Sequence, residues 1–437
     1  MIMENQIKQA ISNLKISELN EMQIASIEAN KSKEDCVLLS PTGSGKTLAF
    51  LLPLLYHLKA NQGFVQALII TPTRELTIQI EEVFKSLRTD YKINAAYGGH
   101  SIKVEENNFS EVPDLIVGTP GRLCDHINRG NLDVSRVKTL ILDEFDKSLE
   151  MGFQEEMGYI VDQLDSLQKR MLISATQMDE IPNFTGVLDP VSLNFLQGKS
   201  EGLTQKMVVS DDKDKLQTLF ELLCHNNDEP TIIFCNHRDT VERISEFLDE
   251  MGVISSFFHG GLEQKDRERT MIKFRNGSSN YLVTTDLAAR GLDIPEIKYI
   301  IHYHMPPKED GFIHRNGRTA RMSSTGTSFL LISQGESLPD YITTPPELEK
   351  LVDITLPEQP KWETLYFSGG KKDKINKIDI VGFLSKKGNL ERSDLGLVIV
   401  QDFISYAAVN RDKTEGLLAI IRNEKVKGKK LKIEVAQ

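Results

Sequence analysis

LLSPTGSGKT, residues 38–47, is the stretch on which the reading of the fold turns. The apolar run Cys36-Val37-Leu38-Leu39 reads as a buried strand, and LAFLLPLLYHLK, from Leu48 to Lys59, reads as a helix. Between them Gly43 and Gly45 let the backbone turn its N–H groups inward around phosphate oxygens, with Thr42 and Ser44 completing the loop. Lys46 brings positive charge to the outer phosphates and Thr47 a hydroxyl for Mg²⁺. The general pattern asks for glycine where Ser40 stands, and a plain glycine turn is the bland alternative. A glycine-rich loop that opens a helix in this way points to a bound nucleoside triphosphate.

Outward from this loop, short apolar runs alternate with helical patterns from residue 36 to about 196. The strand candidates are CVLLS (36–40), ALIIT (67–71), DLIVG (114–118), TLILD (139–143) and MLISA (171–175). Runs without polar alternation indicate strands buried on both faces of a parallel sheet, and RELTIQIEEVFKSLR between them has helical spacing. The expectation is a doubly wound α/β domain. QGKSEGLTQKMVVSDDKDK (197–215) is polar with two glycines and reads partly as a linker. The alternation then restarts with TIIFC (231–235), ISSFF (254–258), YLVTT (281–285), KYIIH (298–302) and TSFLLI (327–332). This second α/β domain contains no second GKT, so its simplest role is to close over the nucleotide of the first.

A proline-bearing connector (338–360) leads to a tail of different order: strand, helix, two strands, helix, strand. That βαββαβ order is the ferredoxin-like arrangement shared by RNA-recognition modules. The expected division is 1–200, 201–337, the connector 338–360, and 361–437.

Charge separates the tail as well. Residues 361–437 hold 16 Lys and Arg against 10 Asp and Glu, net +6, so the rest of the chain carries −17 of the overall −11. A basic module on an acidic body suggests an anionic partner of its own, against the alternative of a solvated lysine-rich end. No apolar run approaches the roughly 18 residues needed to span a bilayer, and the polar start MIMENQIKQA lacks the apolar stretch of a signal peptide. Cys36, Cys124, Cys224 and Cys235 show neither metal nor disulfide spacing, which suits a reducing cytoplasm.

Ligands of open α/β sheets bind beyond the carboxyl ends of the strands. There TLILD ends in Asp143-Glu144-Phe145-Asp146. Asp143 is placed to hold Mg²⁺ opposite Thr47, and Glu144 to orient and deprotonate the attacking water; a solvated acidic turn is the alternative. In HRNGRTAR (314–321), Arg318 and Arg321 lie three apart and point the same way on a helical turn. They suit arginine fingers, with a solvated basic helix as the alternative.

These segments resemble the DEAD-box ATP-dependent RNA helicases over about residues 14–335. The resemblance rests on SPTGSGKT (40–47), PTREL (72–76), Gly98-Gly99, TPGR (119–122), DEFD (143–146), SAT (174–176), TTDLAARGLD (284–293) and HRNGRTAR (314–321). It implies two RecA-like domains with ATP and RNA bound across their cleft. Thr47 and Asp143 would organise Mg²⁺, Glu144 would activate water, Arg318 and Arg321 would act as fingers, and Asp293 would lie near the ribose. Ser174 and Thr176 would couple hydrolysis to closure through Asp146 and His314. RNA would run over Arg74, Gly99, Thr119 and Arg122 on one domain and over Arg267 and Thr285 on the other; Thr176 and Thr285 also read as strand-end hydroxyls satisfying their own backbone.

The sequence departs from the family pattern at three places. Phe145 stands where the family expects Ala, Asn316 and Ala320 stand for the usual Ile and second Gly, and no aromatic precedes Gln23. Gln23 is placed to hydrogen-bond an adenine edge or to act as a buried or capping residue. The tail, through LYFSGGKKDKINKIDIVGFL, SYAAV and GKKLKIEV, resembles the C-terminal domain of DbpA-type helicases over about 364–435. That implies a specificity module for structured ribosomal RNA in large-subunit assembly. Tyr366 and Tyr406 fall where RNA-recognition strands carry stacking rings, with sheet packing as the alternative; Ala408 holds a position expected to be aromatic. Lysines 371, 372, 374, 427, 429 and 430 suit phosphate contacts.

The sequence therefore reads as a cytoplasmic ATP-dependent RNA helicase using Mg²⁺, with RNA, ATP and a pre-ribosomal particle as partners and no membrane. An ATP-gated RNA clamp and a DNA-acting superfamily 2 translocase are the rival readings.

Overall fold

The computed structural model describes residues 2–60, 62–99, 101–178, 180–196, 202–286, 297–320, 325–352 and 354–436. The described residues up to 196 belong to one compact unit and those from 202 onward to a second.

The first unit carries seven strands: β1 (Cys36–Leu39), β2 (Ala67–Ile70), β3 (Ile93–Ala96), β4 (Leu115–Gly118), β5 (Thr139–Leu142), β6 (Lys169–Ser174) and β7 (Val191–Asn194). Their order is β3-β4-β2-β5-β6-β1-β7, and every pairing is parallel. Sequence reading found the five central strands. It missed β3, whose INAA lacks bulk and β-branching beyond its first residue, and β7, an edge strand whose residues alternate between half-buried and exposed. Apolar layers cover both faces. One includes Phe50, Leu51, Leu52 and Phe84, the other Leu123, Phe145, Met157 and Ile160. The helix Lys46–Leu54 is apolar around its circumference because it lies inside this packing, and Ala49 to Leu54 are all buried.

The second unit holds two sheets. The first comprises β8 (Leu203–Ser210), β9 (Thr231–Cys235), β10 (Ser255–Phe258), β11 (Tyr281–Thr285), β12 (Tyr299–His302), β13 (Gly326–Ser333) and β14 (Glu347–Leu348). Their order is β10-β11-β9-β12-β13-β8-β14, again parallel. The expected linker at 197–215 needs correction, because Leu203–Ser210 pairs with β13 along its whole length. Its polar residues Thr204, Gln205 and Lys206 hid the strand; lying near the sheet edge, β8 can leave part of its surface in water. The connector also contributes a short strand, β14, which covers the outer side of β8.

The third sheet is antiparallel: β15 (Trp362–Phe367), β16 (Leu395–Val400), β17 (Ser405–Asn410) and β18 (Ile433–Val435), in the order β16-β17-β15-β18. Helices Lys377–Lys386 and Thr414–Ile421 complete the βαββαβ order. Leu365, Phe367, Ala407 and Val409 face a core shared with Ile380, Leu384, Leu417 and Ile421. Asn376 caps the first helix reciprocally with Asp379. Among the described residues no helix is long and apolar enough to cross a membrane.

Candidate nucleotide site and nucleic-acid interface

The loop after β1 depends on two left-handed glycines, Gly43 at φ 83° and Gly45 at φ 88°. A Cβ on Gly45 would lie 2.6 Å from Gln23 Nε2, so only glycine fits there. Ser40, in the place of the pattern's glycine, is knitted into the loop. Its N–H donates to Ser174 O at 3.0 Å, and its hydroxyl donates to Ser44 Oγ at 2.8 Å. Lys46 Nζ donates to the carbonyls of Ser40 (2.7 Å) and Pro41 (2.9 Å).

Gln23 braces this loop from behind. It forms a reciprocal cap with Asn20: Gln23 N donates to Asn20 Oδ1 at 2.9 Å, and Asn20 N donates to Gln23 Oε1 at 3.1 Å. Its Nε2 donates to Gly45 O at 3.2 Å, and Asn20 Nδ2 donates to Ser44 O at 2.9 Å. Both ends of the Gln23 amide are thus engaged by backbone, as a buried capping glutamine requires.

Asp143 and Glu144 follow β5, and both are buried. Asp143 Oδ1 accepts from Glu144 N at 2.9 Å. Burial first, and then the neighbouring Glu144 charge, push the Asp143 pKa up to about 7 against the opposing pull of Lys46. Glu144 adopts φ 45°, a left-handed backbone on a non-glycine residue. Its Oε2 is buried with no hydrogen-bond partner among the described residues. Phe145 is accommodated by the core: it is fully buried with its ring 6.2 Å from that of Phe184. Phe184 in turn lies over Gly158, where a Cβ would sit 3.6 Å from the phenylalanine's own. Asp146 Oδ2 accepts from Thr176 Oγ1 at 2.7 Å, while Ser174 Oγ donates to Thr176 O at 2.7 Å and accepts from Thr176 N at 3.1 Å. Asp146, Ser174 and Thr176 therefore form one buried polar cluster.

A second group surrounds the Tyr97-Gly98-Gly99 loop after β3. Arg74 heads the helix Arg74–Ser86, and its Nη2 lies 3.2 Å from where a Cβ on Gly98 would be. Arg122 Nε donates to Tyr97 O at 3.1 Å. Exposed Gly99 takes φ 102°, and Thr119 holds the N-cap position of the helix Pro120–Asn128. The expected RNA residues of the first domain are thus neighbours. Glu105, unremarked in the sequence, organises them: buried, it accepts from Tyr97 N at 2.9 Å, pairs with Arg122 Nε at 3.0 Å and meets His126 Nε2 at 2.6 Å. A glutamate within the polar stretch IKVEENNF carries no signal of such a role.

In the second helicase sheet Arg267 lies over the Phe258 ring at 5.1 Å, and half-buried Thr285 ends β11. Arg238, also unremarked, heads the helix Arg238–Glu250 with Nη2 3.3 Å from a Cβ position on Gly260. His314 and Arg318 are buried; Asp293 and Arg321 lie outside the described residues. Arg315 is the hub that sequence reasoning missed. It donates to both Asp286 oxygens (2.5 and 2.7 Å), to His304 O (2.6 Å) and to Asn236 Oδ1 (2.8 Å). Asn316, in the place of the family's Ile, accepts from Ser328 Oγ at 2.7 Å and contacts His302 Nε2 at 3.1 Å. Ala320, in the place of Gly, takes φ 51°. In the tail the Tyr366 and Tyr406 rings lie 5.9 Å apart, and Tyr406 is 3 % exposed.

Residues 20–184 match the DEAD/DEAH box helicase family, 214–323 the helicase conserved C-terminal domain, and 364–435 the DbpA RNA binding domain. The ATP-dependent RNA helicase DbpA of Bacillus subtilis (strain 168) is 32 % identical, covering 98 % of this chain and 97 % of the relative. That of Escherichia coli (strain K12) is 29 % identical over 95 % and 94 %. Among solved structures, S. cerevisiae Dbp5 bound to RNA and ADP BeF3 aligns with a TM-score of 0.68 at 25 % identity, over 75 % of this chain and 87 % of that one. Mss116p bound to ssRNA and AMP-PNP aligns at 0.69 and 26 %, over 79 % and 77 %. With two RecA-like parallel sheets, an antiparallel RNA-binding-type tail and a relative matched along nearly its whole length, the chain belongs to the DEAD-box ATP-dependent RNA helicases of the DbpA type, which are RNA-stimulated ATPases.

Proposed function

We propose that this helicase remodels structured ribosomal RNA locally during assembly of the large ribosomal subunit, in the cytoplasm, with residues 361–437 selecting the RNA. The observation that carries the catalytic part is the pair Asp143-Glu144: two buried adjacent carboxylates at the end of β5, one with an oxygen left unpaired. The Thr47 hydroxyl and the Asp143 carboxylate are hard oxygen donors that fit Mg²⁺, and burial of Asp143 favours a cation beside it. Bound there, Mg²⁺ would neutralise charge on the outer phosphates. Thr42, Gly43, Ser44, Gly45 and Lys46 hold the phosphates, while Gln23 sets the loop and Asp293 takes the ribose.

Glu144 takes the proton of the attacking water. Arg318 and Arg321 stabilise charge on the transferring phosphoryl group. Asp146, Ser174, Thr176 and His314 couple this step to closure of the helicase domains, bending a strand held at Arg74, Gly99, Thr119, Arg122, Arg267 and Thr285. Those contacts grip backbone and 2′-OH without reading sequence, which leaves selection to the tail.

Glu144→Gln is expected to abolish turnover while keeping ATP-dependent RNA binding; retained turnover removes Glu144 from the base role. ATPase assays without nucleic acid, with unrelated RNA and with large-subunit ribosomal RNA test selection. Equal stimulation by both RNAs overturns the ribosomal assignment.

A further inference from the structure

Asn316, which ends the helix Glu309–Asn316 in the place of the family's Ile, belongs to a buried polar set that joins three elements. His302 closes β12 and Ser328 lies early in β13, both fully buried. Ser328 Oγ donates to Asn316 Oδ1 at 2.7 Å, and His302 Nε2 lies 3.1 Å from each of those oxygens. Arg315 Nη1 approaches the other ring nitrogen, Nδ1, at 3.4 Å. A guanidinium can only donate, so Nδ1 accepts and the ring proton sits on Nε2, facing Asn316. Burial and the Arg315 charge keep the ring neutral, its pKa pushed down to about 3.

Apolar walls enclose this set. The ring of Phe312 lies 4.8 Å from that of His302 and the ring of Phe234 6.4 Å, with the Arg315 guanidinium 5.1 Å over Phe234. Leu330 and Ile332 of β13 pack with Phe312. In such surroundings the acceptor on Asn316 is the one to which both the His302 Nε2–H and the Ser328 hydroxyl turn. An isoleucine there would remove it, and His302 and Ser328 bonded only to each other would leave one buried donor over. The residue that departs from the family pattern is therefore matched by the histidine and the serine that it meets.

The same residues carry the turn that bears Arg318. Arg318 N donates to Arg315 O and Thr319 N to Asn316 O, each at 3.1 Å, so the turn hangs from two residues that the set holds. Its far end is pinned by Thr319. There Oγ1 donates to Ile297 O at 2.5 Å and would lie 1.8 Å from a Cβ on Gly326, which leaves no room for a side chain. Arg318, between these anchors, is buried. We propose that His302, Asn316 and Ser328 are a matched set of positioning residues that fixes this turn and so, given Arg318 as the finger, aims its guanidinium at the transferring phosphoryl group. None of the three is a catalytic residue; they act through Arg315 and the backbone of 315–319.

The test compares binding of ADP with fluoroaluminate, a mimic of the phosphoryl group in transfer, against binding of ADP alone, each to the full-length chain with saturating RNA. The ratio of the two affinities is independent of the fraction of chains that are folded, and the stoichiometry reports that fraction. Asn316→Ile is expected to keep ADP affinity within about twofold and to lower the ratio about ten- to hundredfold, as a misplaced group does. RNA-stimulated kcat should fall in step at unchanged KM for ATP. His302→Leu, which withdraws a partner from both Asn316 and Arg315, is expected to lower the ratio about tenfold and serves where Asn316→Ile fails to fold. The triple variant His302→Leu/Asn316→Ile/Ser328→Ala leaves no donor over and should return to within about threefold of the parent. A parental ratio in either single variant, or a triple variant no better than Asn316→Ile, overturns the proposal. Arg318→Ala in the same assay reads the finger by itself. A lowered ratio there beside parental single variants overturns the matched set alone, whereas an unchanged ratio in Arg318→Ala removes the finger and the role of the set with it.

Discussion

The two helicase sheets are the same object built twice. Position for position, β3-β4-β2-β5-β6-β1-β7 corresponds to β10-β11-β9-β12-β13-β8-β14, which makes β8 the counterpart of β1 and Lys215 the counterpart of Lys46. Lys46 opens its helix from a loop with two left-handed glycines, half-buried and bonded to loop carbonyls. Lys215 follows Asp211-Asp212-Lys213-Asp214, which contains no glycine. It is turned into the protein, donating to Leu331 O at 2.9 Å and Glu336 Oε2 at 3.2 Å, and burial lowers its pKa. The ends of β5 and β12 differ likewise: Asp143-Glu144 in one sheet, Tyr303-His304 in the other. Yet the motif expected to meet a nucleic-acid backbone is kept in both, with Arg74 against Gly98 and Arg238 against Gly260. The topology supplies places; a few loop residues decide whether the lysine at each faces the loop or the interior.

The largest expected effect tests the lysines. Lys46→Ala should lower ATP turnover by about 10³ or more through loss of phosphate stabilisation. Lys215→Met should leave RNA-stimulated turnover near that of the parent and instead cost about 2 kcal/mol in denaturant unfolding, from the partners left behind. Next come the arginines. Arg74→Ala and Arg238→Ala should each raise the RNA concentration for half-maximal ATPase about tenfold, for any RNA sequence, without changing the KM for ATP. An effect at Arg74 alone would break the symmetry.

A pH series gives a smaller, signed effect. Burial and the Arg315 charge push the His302 pKa down to about 3, and burial, Lys215 and His237 push His304 down to about 4. Above about 6.5 both histidines are neutral folded or unfolded. Below that only the unfolded chain takes up protons, so stability of the second helicase sheet should fall progressively from pH 6.5 toward pH 4. Hydrogen-exchange protection of β12 and β13 at pH 7 and pH 5 measures this, and equal protection rules the pair out as the source. The smallest effect is a gain: Ala320→Gly relieves a left-handed backbone at φ 51° and should stabilise by about 0.5–1 kcal/mol, offset in part by glycine's larger unfolded-state entropy. Thermal unfolding reads it directly.

Much of the site was legible because its signals are local. GSGKT, DEFD and SAT follow strands whose uninterrupted apolar character marks them as central, so their place at the sheet's carboxyl edge followed without coordinates. The residues that escaped reading act across long sequence separations. Glu105 orders Tyr97, Arg122 and His126, and Arg315 joins Asp286, His304 and Asn236. A lone acid or base in a helix announces no such partners. Strand β8 escaped for a different reason: near the sheet edge, a strand can leave polar residues in water, so its composition resembles a linker's.

From sequence alone came the nucleotide loop, the two α/β units, the βαββαβ tail and the family, since each rests on periodicity or on short motifs whose chemistry is carried by adjacent residues. Tertiary structure alone decided what faces what. It put Gln23 behind the loop with both ends of its amide engaged, filled the space around Phe145 with Phe184, and covered Tyr406 with Ile272. A ring on a strand reads the same whether it meets a base or a helix. Burial belongs to the packing of distant segments, and no local pattern encodes it.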